Sequence, residues 1–300
     1  MVATINRPPL YLFSNEHMPL VSKMAYQQKW YGTDSEERYK NNPHSFLGPE
    51  DVVYRFNSLG YRCPEFNADR FEKKLTVVSI GASEVFGIGL PEDKVFAQVF
   101  ADLLAEQFEC NVVNWNLGLG GSCADYMSRV IVSALPVLKP DIVLLVFPFY
   151  GRREHIDDNG RIFYFNHRNA EYNKNRLKNS LIDPLDATIT QAQMALSSDH
   201  GDQINLYKNY QVCASLCEKY KVMWLFSAFH IAFFSQLQHL IATPHLVGPG
   251  LEDLKCNYQV DPGLRLARDM QHPGIGPHKE MAENLFERLK SLYFDRLVFG

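Results

Sequence analysis

Three hundred residues, 46% hydrophobic and 13% aromatic, are enough for one large α/β domain or two modest ones with a sizeable core. A net charge of −4 with no Lys/Arg run sets nucleic acid aside as a main partner. The opening "MVATINRPPLYLF" lacks the apolar run of a signal peptide and "DIVLLVFPFY" is too short for a membrane span, so the expectation is a soluble chain, cytoplasmic or otherwise without a classical signal peptide.

Residues 1–70 are rich in Asn, Pro, Tyr and charge. They are expected to form an N-terminal extension packed on the main domain, with one or two short strands. From 71 to 300 the pattern is α/β. "LTVVSIG" (75–81) is a short β-branched run closed by Gly, hence a buried strand. It leads into "GASEVFG" (81–87), where Ser83 leaves the strand in a turn of small residues. Such a turn presents a nucleophilic hydroxyl above a sheet; Ser83 as a plain helix N-cap is the simpler reading.

"PEDKVFAQVFADLLAEQF" (91–108) opens with Pro and two acids and repeats apolar residues at helical spacing. The strand "NVVNWNLG" (111–118) comes next. It runs into "NLGLGGS" (116–122), whose three glycines let the backbone approach a ligand or take positive φ. A glycine N–H there can face an oxyanion. The stretch is not the G-x-G-x-x-G of a dinucleotide loop. "SCADYMSRVIVSALPVL" (122–138) reads as a helix and "PDIVLLVFPF" (140–149) as a third strand.

Residues 152–203 are polar and aromatic and too long for an ordinary loop, so they form an insertion, partly helical. Alternation in "RIFYFNH" sends Phe163 and Phe165 to one side and Tyr164 to the other, so one set can face a pocket. The helix "LYKNYQVCASLCEKY" (206–220) carries Cys213 and Cys217 at i, i+4, read as two core thiols. The six cysteines show no CxxC pair and are expected to be reduced.

The fourth strand, "VMWLFSAFH" (222–230), ends in His230; His239 and His245 come after it. These histidines have no tight cluster of acids or thiols around them, so no metal site is expected. His230 can line a pocket at the strand end, but an ordinary polar residue is the plainer reading. The last motif is "DMQHPG" (269–274), ahead of the closing helix 278–294, at whose start His278 reads as structural. A serine needs a base and the base an orienting carboxylate. Asp269 and His272 supply both on one loop; a capping Asp beside a surface His is the other reading.

Together, "GASEVFG", "NLGLGGS" and "DMQHPG" resemble three blocks of the SGNH (GDSL-like) hydrolase family. "RFNSLGYRCPEF" (55–66) is similar to the segment preceding the first block in some members. The resemblance covers roughly 52–150 and 204–295. It implies a flavodoxin-like three-layer α/β/α sandwich with a mostly parallel sheet, and hydrolysis of a small ester without metal or cofactor. By that resemblance Ser83 is the nucleophile, His272 the base and acid, and Asp269 its orienter. The N–H groups of Ser83 and Gly121 are the oxyanion donors. An acylated carbohydrate is the favoured substrate, a lipase or thioesterase the alternative within the class, and an inactive binding protein on the same fold the rival outside it.

Two positions depart from the pattern. Ala82 replaces an Asp that is not part of the triad. After the third strand, "FPFYGRRE" lacks the family's Gly-x-Asn-Asp, whose Asn donates to the oxyanion. Tyr150 stands in that register, and its hydroxyl, Arg152 or Arg153 is the candidate replacement. The segment is expected to line the pocket entrance, with Arg152, Arg153 and Tyr164 as substrate contacts.

Overall fold

The computed structural model describes residues 25–66, 74–156, 162–166, 191–192 and 195–299. Residues 1–24 of the expected extension lie outside the described residues, as do 167–190 of the expected insertion. The described N-terminal part holds β1 (Tyr26–Gln28), helix α1 (Glu36–Asn41) and β2 (Tyr54–Phe56). β1 and β2 pair antiparallel.

The main domain then runs through β3 (Lys74–Gly81), a single-turn helix α2 (Ser83–Phe86), α3 (Phe96–Phe108), β4 (Asn111–Asn116), α4 (Ala124–Leu138) and β5 (Ile142–Phe147). A hairpin comes next, β6 (Arg152–Ile156) and β7 (Ile162–Asn166). The chain closes with α5 (Asp199–Tyr220), β8 (Met223–Ala228), α6 (Leu251–Asn257) and α7 (Ile275–Phe299). Helix α5 starts at Asp199, ahead of the apolar periodicity that begins at Leu206. Its first turn is polar, and Ser198 fixes the start by accepting the Gly201 N–H at 3.1 Å.

β4, β3, β5 and β8 lie side by side in that order, all parallel. Their near-continuous apolar sequences arise from burial on both faces. Val77, Leu144 and Leu225 point to one face, against Phe100 and Leu104 of α3 and Met281 and Leu285 of α7. Val78, Val143 and Phe226 point to the other, against Met127 and Val130 of α4 and Tyr210 and Cys213 of α5. The result is the three-layer α/β/α sandwich expected from the sequence. Cys213 and Cys217 are both buried on the inner side of α5, and burial pushes both thiols up.

The chain leaves β3 for β4 on one side, then crosses to β5 on the other side of β3. Such a reversal opens a crevice outside the carboxyl ends of the two strands. Register puts Gly81, Val146 and Ser227 level across β3, β5 and β8, so the residues just beyond each of them border that crevice.

The β6–β7 hairpin is fastened to the α4–α5 layer. Arg129 of α4 donates to both Glu154 oxygens, at 2.8 and 2.7 Å. Asp125 accepts from Arg153 Nε, the Glu154 N–H, and the side-chain amides of Asn205 and Asn209. Among the described residues no helix is long and apolar enough to cross a membrane.

Candidate active site

Ser83 is the first residue of α2, at the tip of β3, and is 3% exposed. Ala82 supplies no side-chain cap, so the orphan N–H groups of this turn stay available. The Ser83 hydroxyl donates to Glu84 Oε1 at 3.3 Å. Glu84 is itself buried and is a group the sequence motifs did not single out.

Asp269 and His272 share the loop that enters α7. His272 Nδ1 lies 2.6 Å from Asp269 Oδ2. The Gln271 and His272 N–H groups both donate to Asp269 Oδ1 at 3.0 Å, which folds the loop around the carboxylate. The fourth donor comes from the N-terminal segment, Thr33 Oγ1 at 2.7 Å. Burial alone would raise the Asp269 pKa, but the donors, led by His272, hold the carboxyl well below the usual range.

Burial alone would push the His272 pKa down. The hydrogen bond and charge of Asp269, with the charge of Glu84 behind them, outweigh it and hold the imidazole above its ordinary value. Arg152 acts on the same ring in the opposite sense. Glu84, next to Ser83, and Arg152, opening β6, therefore both face the base. Nδ1 is bonded to Asp269, which leaves Nε2 as the other ring nitrogen. Among the described residues His272 Nε2 has no hydrogen bond, and no bond links it to the Ser83 hydroxyl. Catalytic hydrogen bonds of this kind are often long until a substrate closes them.

Gly121 sits in the β4–α4 turn with φ +78°, a conformation glycine adopts without strain. Ser122 Oγ and the Leu119 N–H both donate to Gly81 O, tying that turn to the end of β3 beside Ser83. Neither the Ser83 nor the Gly121 N–H is taken up among the described residues.

The candidates after β5 divide. Among the described residues, Arg152 Nε and Nη1 are buried with no hydrogen-bond partner. Arg153, on the opposite side of β6, is engaged by Asp125 (3.2 Å) and Asp202 (3.5 Å). Tyr164 is buried at 3% exposure, edge-on to Tyr126, with its hydroxyl 3.4 Å from Arg129 Nη2. The Arg129–Glu154 pair draws that face of the hairpin inward, away from the entrance. Tyr150 is half-buried between the rings of Phe149 (5.3 Å) and Phe233 (5.1 Å). The side chain of Phe163 lies outside the described residues.

His278 is fully buried and its Nδ1 accepts the Phe96 N–H at 3.0 Å, capping α3 from α7. Burial first, then the charges of His272 and Arg62, bring its pKa down to about 3. His245 stacks on Trp224 at 4.2 Å and meets the Tyr293 hydroxyl at 2.9 Å. His239 is exposed. Among the described residues no three His, Cys, Asp or Glu side chains are grouped to hold a metal ion.

No protein-family model matches the chain, and no curated protein matches it. Among solved structures it is similar to TesA, at 15% identity and a TM-score of 0.47, over 72% of this chain and 99% of that one. It is similar to a putative lipolytic protein of the G-D-S-L family from Desulfitobacterium hafniense (12%, 0.42, over 71% and 98%). A third similar structure is the Clostridium thermocellum family 3 carbohydrate esterase (13%, 0.41, over 75% and 98%).

Proposed function

We propose that the protein is a serine ester hydrolase of the SGNH type, with Ser83 as nucleophile, His272 as base and Asp269 as its orienter. The observation that carries this reading is the Asp269–His272 pair, bonded at 2.6 Å, with the charge of Glu84, the neighbour of Ser83, acting on the same imidazole. The three residues sit in the chain order Ser, Asp, His.

In this reading Ser83 Oγ attacks the ester carbonyl while its proton passes to His272 Nε2. Asp269 keeps the other nitrogen protonated and stabilises the imidazolium. The tetrahedral oxyanion is met by the N–H groups of Ser83 and Gly121. Arg152 is the best candidate for the third donor, in place of the missing Asn, because its buried N–H groups have no other partner. His272 returns the proton to the leaving alcohol, and water then repeats the sequence on the acyl-enzyme. Glu84 accepts the Ser83 hydroxyl at rest, so the serine must turn from Glu84 to His272 for reaction.

The favoured substrate is a short acyl group on a carbohydrate, a choice supported by the half-buried aromatic side chains of Phe149 and Tyr150 after β5. Turnover of p-nitrophenyl acetate, with Ser83→Ala as the blank, tests the reading: hydrolysis in the wild type alone supports it, and equal rates in both reject it. The rival is a binding protein on the same fold. It draws support from the Ser83 hydroxyl facing Glu84 and from the absent Asn, and it predicts no turnover in either protein.

A further inference from the structure

A second histidine–carboxylate pair stands at the same edge of the sheet. His230 lies just beyond β8, and its Nδ1 is 2.7 Å from Asp253 Oδ1 of α6. Asp253 is fixed in turn, because its Oδ2 accepts the N–H groups of Ile231 (2.9 Å) and Gly250 (3.0 Å). With Nδ1 donating to Asp253, the neutral ring presents Nε2 as an acceptor. Among the described residues Nε2 has no partner, and the side chain is 34% exposed.

Rings surround it. Phe229 meets the imidazole edge-on at 4.9 Å and Phe233 at 5.5 Å. Phe233 continues the surface to Phe149 at 5.6 Å and to Tyr150 at 5.1 Å. All four are half-buried, so each keeps part of its surface toward solvent. They make an aromatic shelf along the ends of β5 and β8 with one fixed acceptor set into it.

The register places this shelf relative to the nucleophile. Gly81, Val146 and Ser227 are level, and the Phe229 N–H still bonds to Phe147 O at 2.8 Å. Ser83 and His230 thus lie two strand spacings apart at the same edge, roughly 10 Å. That gap suits the two ends of one small ester. An alkyl chain needs the rings but not the acceptor. A hydroxylated ring uses both, its C–H face on the aromatic side chains and one hydroxyl donating to Nε2.

We infer that His230, held by Asp253, and the shelf of Phe149, Tyr150, Phe229 and Phe233 form the subsite for the alcohol half of the substrate, and that this half is a pyranoside. The inference rests on the esterase reading of Ser83 and deepens it.

Two measurements test it. In the first, kcat/KM is compared for an acetylated methyl glucopyranoside and for ethyl acetate, which carries the same acyl group without a ring. His230→Ala and Phe233→Leu are expected to lower the ratio of the two about tenfold, chiefly through KM for the glycoside, and His230→Gln to recover part of it. An unchanged ratio in both His230→Ala and Phe233→Leu overturns the inference. In the second, calorimetry monitors the same glycoside binding to Ser83→Ala protein. Binding that the added His230→Ala change weakens about tenfold supports the subsite even if no ester is cleaved, in which case the esterase reading alone has failed. Equal binding, or none, in the two proteins overturns the subsite while leaving hydrolysis of ethyl acetate as separate support for the esterase.

Discussion

In the proposed mechanism, the chemistry at Ser83 turns on which charges act on His272. Asp269 and Glu84 raise its pKa against burial, and Arg152 lowers it. The base must be neutral to accept the serine proton, so kcat/KM should rise with pH through a value above the ordinary histidine pKa of about 6.5. Glu84→Gln removes a raising charge and should move that limb to lower pH; Arg152→Gln should move it to higher pH. A pH–rate profile for the three proteins checks both signs, and shifts in the same direction would contradict the placement of these charges around His272. The stability contribution of the ion pair has its own signs. The part due to raised His272 is full below about pH 6.5 and is lost as pH rises through the folded value. The part due to Asp269 is present above about pH 3.9 and is lost as pH falls through its depressed value.

Among the elements, the turn after α2 and the loop before α7 are built to touch. Gly89 has φ +76°, and a Cβ there would lie 2.9 Å from Ala267 Cβ and 3.0 Å from the Arg268 N–H nitrogen. Gly89→Ala should therefore displace the acid–base loop, costing about 1–3 kcal/mol and lowering kcat/KM as well. Thermal unfolding and steady-state kinetics on the same sample check it, and unchanged values in both would show the contact to be slack. Helix α3 is capped by neutral His278, whose pKa falls to about 3 on folding. Unfolding frees this group to bind a proton below about pH 6.5, so stability should fall with acid by up to about 1.4 kcal/mol per pH unit from this residue. In His278→Gln, urea midpoints between pH 7 and pH 5 should fall less steeply than in wild type.

These elements also show what the sequence made legible. Ser83, Asp269 and His272 stand out as candidates because each sits in a short local pattern, a strand-ending turn or a loop of six residues, and the Asp269–His272 bond is the part of that set the fold displays. The parallel sheet could be read because strands buried on both faces are apolar throughout. At Tyr164 alternation separates the two sides of a strand without saying which is covered; the Arg129–Glu154 pair lies on the Tyr164 side. Glu84 was passed over as a variable position inside a motif. Thr33 carried no signal at all, since it meets Asp269 across 236 positions of sequence.

At the scale of the molecule, the N-terminal segment supports the loop that carries Asp269 and His272. Arg268, next to Asp269, is fully buried and donates to both oxygens of Asp34, at 3.0 and 2.7 Å. It also donates to Lys29 O, Gly48 O and Pro49 O, and lies 4.1 Å above the ring of Trp30. Tyr54 donates to Asp34 and accepts the Gly89 N–H, closing the network onto the turn after α2. Asp34→Ala strands a buried guanidinium, a loss of about 3–5 kcal/mol. It should also lower activity although Asp34 touches neither Ser83 nor His272. Replacing Asp34 and Arg268 together by apolar residues should cost less stability than Asp34→Ala alone, measured by urea unfolding; a double variant less stable than the single would contradict the account of a stranded charge.

The central claim is that Ser83 is a nucleophile activated by His272. Its most direct test is the intact-protein and peptide mass after exposure to a fluorophosphonate, which reports the serine without any assumption about substrate. The account predicts one adduct, on the peptide containing Ser83, absent in Ser83→Ala and slowed at least about 10³-fold in His272→Ala. No adduct in the wild-type protein, or labelling at the same rate in His272→Ala, would contradict it.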